Sequence, residues 1–204
     1  MLTTRDLEVV RYLEDNLLLT ADIASRLIYH TQNERSSLAI AQRRLATLYK
    51  EKQVKRIRNS ITNSYVYYLG KTPTKVDHRL KISDFISRIN TIGFGIDEIQ
   101  LEYSELQDTY HIRPDIMMVV DYHKTKLCIL VEVDLTKEFT NIEQYTRLAI
   151  DRKNAIPMNL PEAPLLLVAV TDKPIKRVKG QAKPITIKTD FSDIEKVKMP
   201  LIKL

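Results

Sequence analysis

The chain has 204 residues, enough for one large domain or two small ones, and its 44% hydrophobic and 28% charged residues are ordinary for a globular protein. Its apolar runs are too short to cross a bilayer, and its first residues lack the basic-then-apolar layout of a signal peptide. A single cysteine, Cys128, excludes an internal disulfide. We therefore expect a cytoplasmic protein that makes no membrane contact.

The net charge of +6 is unevenly distributed. Residues 1–75 contain 13 Lys and Arg against 7 Asp and Glu, whereas the remaining 129 residues contain 19 of each sign. A positive excess confined to one third of the chain indicates a polyanion-binding module joined to a neutral one. Chance clustering of solvated lysines is the alternative.

Three helices are predicted at the start of the chain. The pattern Thr3-x-x-Asp6 is typical of a helix cap, and Thr20 is placed to cap a second, short helix. The third helix is predicted from about Glu34 to Glu51. Apolar residues at helical spacing are expected to face the core, and they are Leu7, Val10, Leu13 and Leu17 in the first helix and Leu38, Ala41, Leu45 and Leu48 in the third.

Two short strands are predicted next, Val54 to Arg58 and Tyr65 to Leu69, joined by a turn-rich segment at 59–64. Three helices followed by a hairpin is the order of a winged helix-turn-helix, which predicts a DNA-binding domain over residues 1–70. Its third helix would enter the major groove, with the hairpin on the flanking backbone. The residues predicted to contact DNA are Arg35, Ser36, Ser37, Ile40, Arg43, Arg44, Thr47, Lys55, Arg56, Arg58 and Asn63. A three-helix protein-interaction domain with a solvated charged face is the alternative.

A linker is predicted at 71–79, where Gly70 and Pro73 end the hairpin, and a second domain at 80–204. A helix from about His78 to Ile92 leads into it. Strands are then predicted at Ile96 to Tyr103, Asp115 to Tyr122, Leu127 to Asp134, Pro164 to Val170 and Ile185 to Ile187, with a helix from about Asn141 to Lys153. Strands flanked by helices indicate an α/β domain, so the whole chain is expected to be of the α+β or α/β class.

Three carboxylates are expected to converge in this second domain. Asp115 begins one predicted strand, and Glu132 and Asp134, two residues apart, share a face of the next. A Pro-Asp and a Glu-x-Lys in such positions are typical of metal-dependent nucleases, in which the lysine positions or polarises the attacking water. Here Asp134 occupies the lysine position, and an acid cannot supply that positive charge near a phosphate. Lys137 could return it from a shifted position.

Two interpretations of these acids stay open. In one, Asp115, Glu132 and Asp134 bind Mg²⁺ or Mn²⁺ and catalyse cleavage together with Lys137. In the other, which the missing lysine favours, the acids are structural or pair with Arg113 and Lys137, the protein is not an enzyme, and it needs no cofactor.

The chain resembles the replication-relaxation family of plasmids, phages and integrative elements, from about Thr3 to Val170. The resemblance rests on the order and spacing of the Thr-x-Arg-Asp-Leu opening, Arg43-Arg44-Leu45-x-x-Leu48, Arg113-Pro114-Asp115, Glu132-Val133-Asp134-Leu135-x-Lys137 and a helix bearing Tyr145. It implies a winged helix-turn-helix followed by a restriction-endonuclease-like domain.

The resemblance also implies a protein that binds double-stranded DNA and controls replication, mobilisation or transcription of a bacterial mobile element. We expect the nuclease-like domain to be catalytically degenerate and to serve dimerisation or contact with a replication, mobilisation or transcription protein. A homodimer is expected because one small winged helix rarely supplies enough specificity. The alternative is a metal-dependent endonuclease that its winged helix directs to DNA.

Overall fold

The computed structural model describes residues 2–136, 138–154, 163–176 and 179–200, and shows a mixed α+β protein. The chain forms two compact units, Met1–Ile92 and Gly93–Leu204. In the part of the chain that the structure describes, no helix is long and apolar enough to span a membrane.

The first unit begins with three helices, α1 (Thr4–Glu14), α2 (Ala21–Leu27) and α3 (Glu34–Lys50). Each begins where a side chain accepts a hydrogen bond from the first turn, at Thr3, Thr20 and Asn33 respectively. The two threonine caps confirm the sequence prediction. The prediction for the buried face of α1 was wrong in part, because Leu7 is 56% exposed whereas Asp6 is fully buried.

A two-stranded antiparallel hairpin follows, β1 (Lys55–Arg58) and β2 (Tyr65–Tyr68). Leu19, between α1 and α2, forms a bridge with Tyr67, in which each backbone N–H donates to the other's carbonyl oxygen at 2.8 and 3.2 Å. Leu18, Val66 and Tyr68 make a small buried cluster beneath the hairpin. The hairpin is thus attached to the helices by backbone pairing on one side and by apolar packing on the other.

The first unit ends with a fourth helix, α4 (Val76–Thr91). Ser83 Oγ on α4 accepts the Leu18 N–H at 3.0 Å, and Asp84 on α4 forms an ion pair with Arg26 on α2 at 2.7 Å. Phe85, Ile86 and Ile89 are fully buried. The units therefore divide after Ile92, whereas the sequence predicted a linker at 71–79 and a second domain from residue 80.

The second unit contains a five-stranded sheet in the order β3-β4-β5-β6-β7. The strands are β3 (Gly95–Leu101), β4 (Ile116–Tyr122), β5 (Thr125–Val133), β6 (Leu165–Val170) and β7 (Ile185–Ile187). The first three pair antiparallel, and the last three pair parallel. Residues of β4 and β5 from Ile116 to Val120 and from Leu127 to Val131 are all buried, as expected for central strands.

Three helical segments accompany the sheet. The short α5 (Gln107–Tyr110) precedes β4, α6 (Ile142–Asn154) connects β5 to β6, and a 3₁₀ helix follows β7 at Ile194–Lys198. Tyr145 and Leu148 of α6 lie in a buried cluster with Met117, Cys128 and Leu130 of the sheet. The prediction of α6 is confirmed to within a residue at each end, whereas α5 and the 3₁₀ helix were not predicted.

Candidate functional site

The exposed side of α3 carries part of the predicted DNA-contact set. Ser36, Ile40, Arg43 and Thr47 recur every three or four residues and so lie on one side of the helix. Ser36 and Arg43 are exposed, Ile40 and Thr47 are partly exposed, and Arg35 is exposed in the first turn. Arg35 and Arg43 have no ion pair with any residue that the structure describes, so both guanidinium groups are available to a ligand.

Two residues of the predicted set lie elsewhere on α3. Ser37 is only 4% exposed, and its hydroxyl accepts the Thr31 N–H at 2.9 Å and bonds the Asn33 carbonyl oxygen, so it shapes the turn before the helix. Arg44 forms an ion pair with Asp6 on α1. Both side chains, which the sequence predicted to contact DNA, thus have partners within the first unit: Ser37 holds the helix start, and Arg44 joins α3 to α1.

The Arg44 ion pair belongs to a hydrogen-bonded network around the fully buried Asp6. Oδ1 of Asp6 accepts from Arg44 Nε and from the Tyr29 hydroxyl, both at 3.0 Å, and Oδ2 accepts from Thr3 N and Oγ1, both at 2.7 Å. Burial opposes ionisation of Asp6, but the bonds from Arg44, Thr3 and Tyr29 outweigh it and hold its pKa well below the usual value. Arg44 is thus the partly exposed partner of a buried carboxylate, and it links α3 to α1.

Sequence reasoning missed Lys50, which is exposed seven residues after Arg43 and therefore on the same side of α3. The spacing from Arg43 through Thr47 to Lys50 could have identified it. Together with Arg35 and Arg43, Lys50 gives the exposed side of α3 three basic residues along its length. We call these three residues, with Ser36, Ile40 and Thr47, the α3 face.

The predicted basic residues of the hairpin are all engaged locally. The Arg56 guanidinium lies between the rings of Tyr49 and Tyr65, 4.0 and 3.9 Å from their centroids. Lys55 Nζ donates to the Gly70 carbonyl oxygen at 2.7 Å, and Arg58 Nε donates to the Asn63 carbonyl oxygen at 3.4 Å. Stacking and these bonds restrict the side chains while leaving other N–H groups able to donate to a ligand.

No acidic residue occurs between Glu51 and Asp77, a stretch that covers the hairpin and its flanks. The same stretch contains six lysines and arginines. The first unit as a whole holds 16 Lys and Arg against 9 Asp and Glu, and the second 16 against 17. The positive charge that the sequence placed in residues 1–75 thus belongs to the first unit, and its hairpin contributes no acid.

The second candidate site is the group of acids at one end of β4 and β5. Asp115 Oδ2 accepts the Val133 N–H at 2.8 Å, so its carboxylate lies against the strand that carries Glu132. Glu132 Oε1 accepts from the Tyr145 hydroxyl on α6 at 2.7 Å. Asp115 and Glu132 therefore lie close together, and Tyr145 closes one side of Glu132. Lys137 lies outside the described residues.

The surroundings of Glu132 disfavour its ionisation. Burial raises the pKa of Glu132 to about 7, opposed by the Tyr145 hydrogen bond and reinforced by the charges of Asp115 and Asp134. In the described ranges, no group of three or more acidic, histidine or cysteine side chains is arranged to hold a metal ion. Arg113, a predicted partner of the acids, instead pairs with Glu102 at 2.5 Å.

Comparison of the chain with models of protein families, with curated protein sequences and with solved structures finds no match. The resemblance to the replication-relaxation family consequently stays a prediction, and the function has to be argued from the geometry of the two units.

Proposed function

We propose that the chain is a double-stranded-DNA-binding protein and that its first unit is a winged helix-turn-helix. The observation that carries the proposal is the α3 face, whose Arg35, Arg43 and Lys50 are exposed beside an acid-free hairpin. Arginine and lysine neutralise phosphates, and short polar side chains such as Ser36 reach base edges in the major groove. In this proposal α3 occupies the major groove and the hairpin contacts the flanking backbone.

The backbone arrangement supports the same assignment. Three helices precede a hairpin, and the bridge between Leu19 and Tyr67 fixes that hairpin to the segment between α1 and α2. A hairpin held in this way cannot swing freely, which lowers the entropy that would be lost when it contacts DNA. The Arg56 side chain is restricted in the same way by its stacking between Tyr49 and Tyr65, so it too loses less entropy when it contacts DNA.

The experiment is a fluorescence-anisotropy titration of the full chain with a labelled mixed-sequence duplex over a series of salt concentrations. Arg43→Ala and Lys50→Ala should each weaken binding and reduce the slope of log K against log salt by about 1, since each phosphate contact contributes about 0.9. Lys183→Ala removes an exposed charge from the second unit and is the matched control. If all three variants bind with the affinity and salt slope of the parent chain, DNA does not contact the α3 face.

For the second unit we propose a nuclease-like domain that does not cleave DNA and that serves dimerisation or contact with a replication, mobilisation or transcription protein. Its support is the local charge, since Asp134 stands where a catalytic lysine is needed. With the suggested family, this makes the chain a cytoplasmic regulator of a plasmid, phage or integrative element, acting as a homodimer on two half-sites about one helical turn apart.

One observation favours a second candidate, a DNA endonuclease, because Asp115 and Glu132 do lie side by side at the strand ends. Incubating the protein with plasmid DNA and Mn²⁺ separates the two. Our proposal expects the DNA to stay intact. Cutting that EDTA and Glu132→Ala each abolish would establish the endonuclease instead.

A further inference from the structure

The turn between β1 and β2 presents an apolar side chain to solvent. Ile61 is 76% exposed, more than the other large hydrophobic residues that are exposed in the structure, of which the next are Met199 at 58% and Leu7 at 56%. Exposing an isoleucine forgoes the stabilisation that burying its side chain would contribute. A single exposed apolar residue is common, so its support and surroundings decide what it is for.

The support of Ile61 is a turn built around a buried asparagine. Asn59 is 5% exposed, its Oδ1 accepts the N–H groups of Ile61 and Thr62 at 2.8 and 2.9 Å, and its carbonyl oxygen accepts the Asn63 N–H at 3.0 Å. Asn59 Nδ2 donates to Asp77 of α4 at 2.9 Å. The turn is therefore fixed to the body of the first unit, and Ile61 is held outward by hydrogen bonds on its own backbone.

The surroundings of Ile61 favour a polyanion. Arg58 precedes the turn, and the neighbouring side chains Ser60, Thr62 and Asn63 are short, polar and exposed. The stretch from Lys52 to Val76 lacks any acid, and the carboxylate that does contact the turn, that of Asp77, is bonded to Asn59. Short polar groups and an arginine beside a protruding apolar residue are the groups that proteins place in a DNA minor groove.

We propose that Ile61 is an apolar contact residue that the hairpin turn inserts into the minor groove, beside the major groove that α3 occupies. This inference rests on the DNA-binding function proposed above and extends it to a second groove. The isoleucine packs against sugars and the floor of the groove, and at a flexible pyrimidine–purine step it wedges between base pairs and bends the duplex. Arg58 and Asn63 then lie beside the phosphates and sugars that flank the step.

Ile61 also borders a groove of about 900 Å³ between the hairpin, α3 and α4, which Leu38, Tyr65 and Leu80 help to line. A protein segment seated in that groove would bury Ile61 as well. The groove contains Asp22, Asp77 and Asp84 together with Arg56 and Lys81, so its charge is mixed, whereas the turn itself is free of acids. Charge thus favours DNA at Ile61, and the test distinguishes the two.

The experiment measures affinity and bending together on the full chain. A duplex of about 24 base pairs containing several TA steps, labelled at both ends, reports binding by anisotropy and bending by energy transfer between the labels. The variants are Ile61→Ala and Ile61→Val, with Leu7→Ala as the matched control, because Leu7 is an exposed apolar residue of the same unit on α1. Thermal unfolding checks that each variant is folded.

We expect Ile61→Ala to bind about tenfold more weakly, because the change removes three carbons that are partly buried against the groove. Bending should be reduced, Ile61→Val should be close to the parent chain, and Leu7→Ala should be unchanged. Netropsin, which occupies the minor groove, should weaken DNA binding by the parent chain. It should weaken DNA binding by Ile61→Ala much less.

If Ile61→Ala binds and bends DNA as the parent does while Arg43→Ala is weakened, the minor-groove inference is wrong and the DNA-binding function stands. If neither change weakens binding, DNA contacts neither the α3 face nor the hairpin turn, and the inference fails together with the winged-helix mode of binding. If the parent chain itself does not bind the duplex, the proposed function fails. Unchanged DNA binding combined with loss of self-association by Ile61→Ala would overturn the inference in favour of a protein partner in the groove.

Discussion

Replacing Arg44 with alanine should unfold the first unit more easily instead of removing a DNA contact. The change leaves the fully buried Asp6 carboxylate with its bonds from Thr3 and Tyr29 but without its ion-pair partner. Removing one partner of a buried pair costs about 3–5 kcal/mol. The three remaining hydrogen bonds and the 25% exposure of the Arg44 side chain lower the expected loss to about 2 kcal/mol.

The assay is urea unfolding at pH 7 followed by circular dichroism, since the chain has no tryptophan. Arg43→Ala is the control, because Arg43 is the neighbouring exposed arginine and should cost less than about 0.5 kcal/mol. Because the pKa of Asp6 is lowered in the folded protein, its ionised carboxylate stabilises the fold at pH values above the ordinary pKa of 3.8. This stabilisation is lost as the pH falls below that value. The difference between the parent chain and Arg44→Ala should therefore narrow below about pH 4. An Arg44→Ala protein as stable as Arg43→Ala at pH 7, yet unable to bind DNA, would refute this account.

Two further predictions concern the second unit. The pKa of Glu132 is raised from 4.5 to about 7 in the folded protein, so Glu132 ionises less readily there than in the unfolded chain. The stability of the folded protein therefore decreases as pH rises from 4.5 to about 7. Glu132→Gln should therefore stabilise the protein at pH 8 by up to about 3 kcal/mol, with the gain vanishing below pH 4.5, and equal melting temperatures at pH 8 would contradict it. Burial raises the pKa of the Cys128 thiol to about 11, so a thiol-specific reagent at pH 8 should leave the native protein unmodified and label it only after denaturation.

The local elements of this fold are predictable because their signals are local. Thr3 and Thr20 satisfy the first N–H groups of their helices from a few residues away, and the apolar run from Leu127 to Val131 predicts the buried strand β5. The closeness of Asp115 to that strand follows from the hairpin register of β4 and β5, which the turn at 123–124 sets.

The remaining features depend on partners distant in sequence. Arg43 and Arg44 are neighbours of the same type, and only the position of Asp6, 38 residues earlier, decides which of them turns inward. The Tyr145 hydrogen bond to Glu132 likewise requires the packing of α6 on the sheet. The helix α4 belongs to the first unit because it bonds to Leu18 and Arg26, which lie more than 55 residues before their partners on α4. Periodicity within one segment contains none of this information.

The attachment of α4 to the first unit determines what could be transferred to another protein. A piece cut at Gly70, where the hairpin ends, would leave Leu18 N and Arg26 without Ser83 and Asp84, and would strip the apolar cover that Leu80 gives to Val66 and Tyr68. The segment that could be moved to another protein as a folded unit therefore extends to Ile92. Recombination that joined this α3 face to a new partner domain would have to carry all four helices, together with their surplus of positive charge.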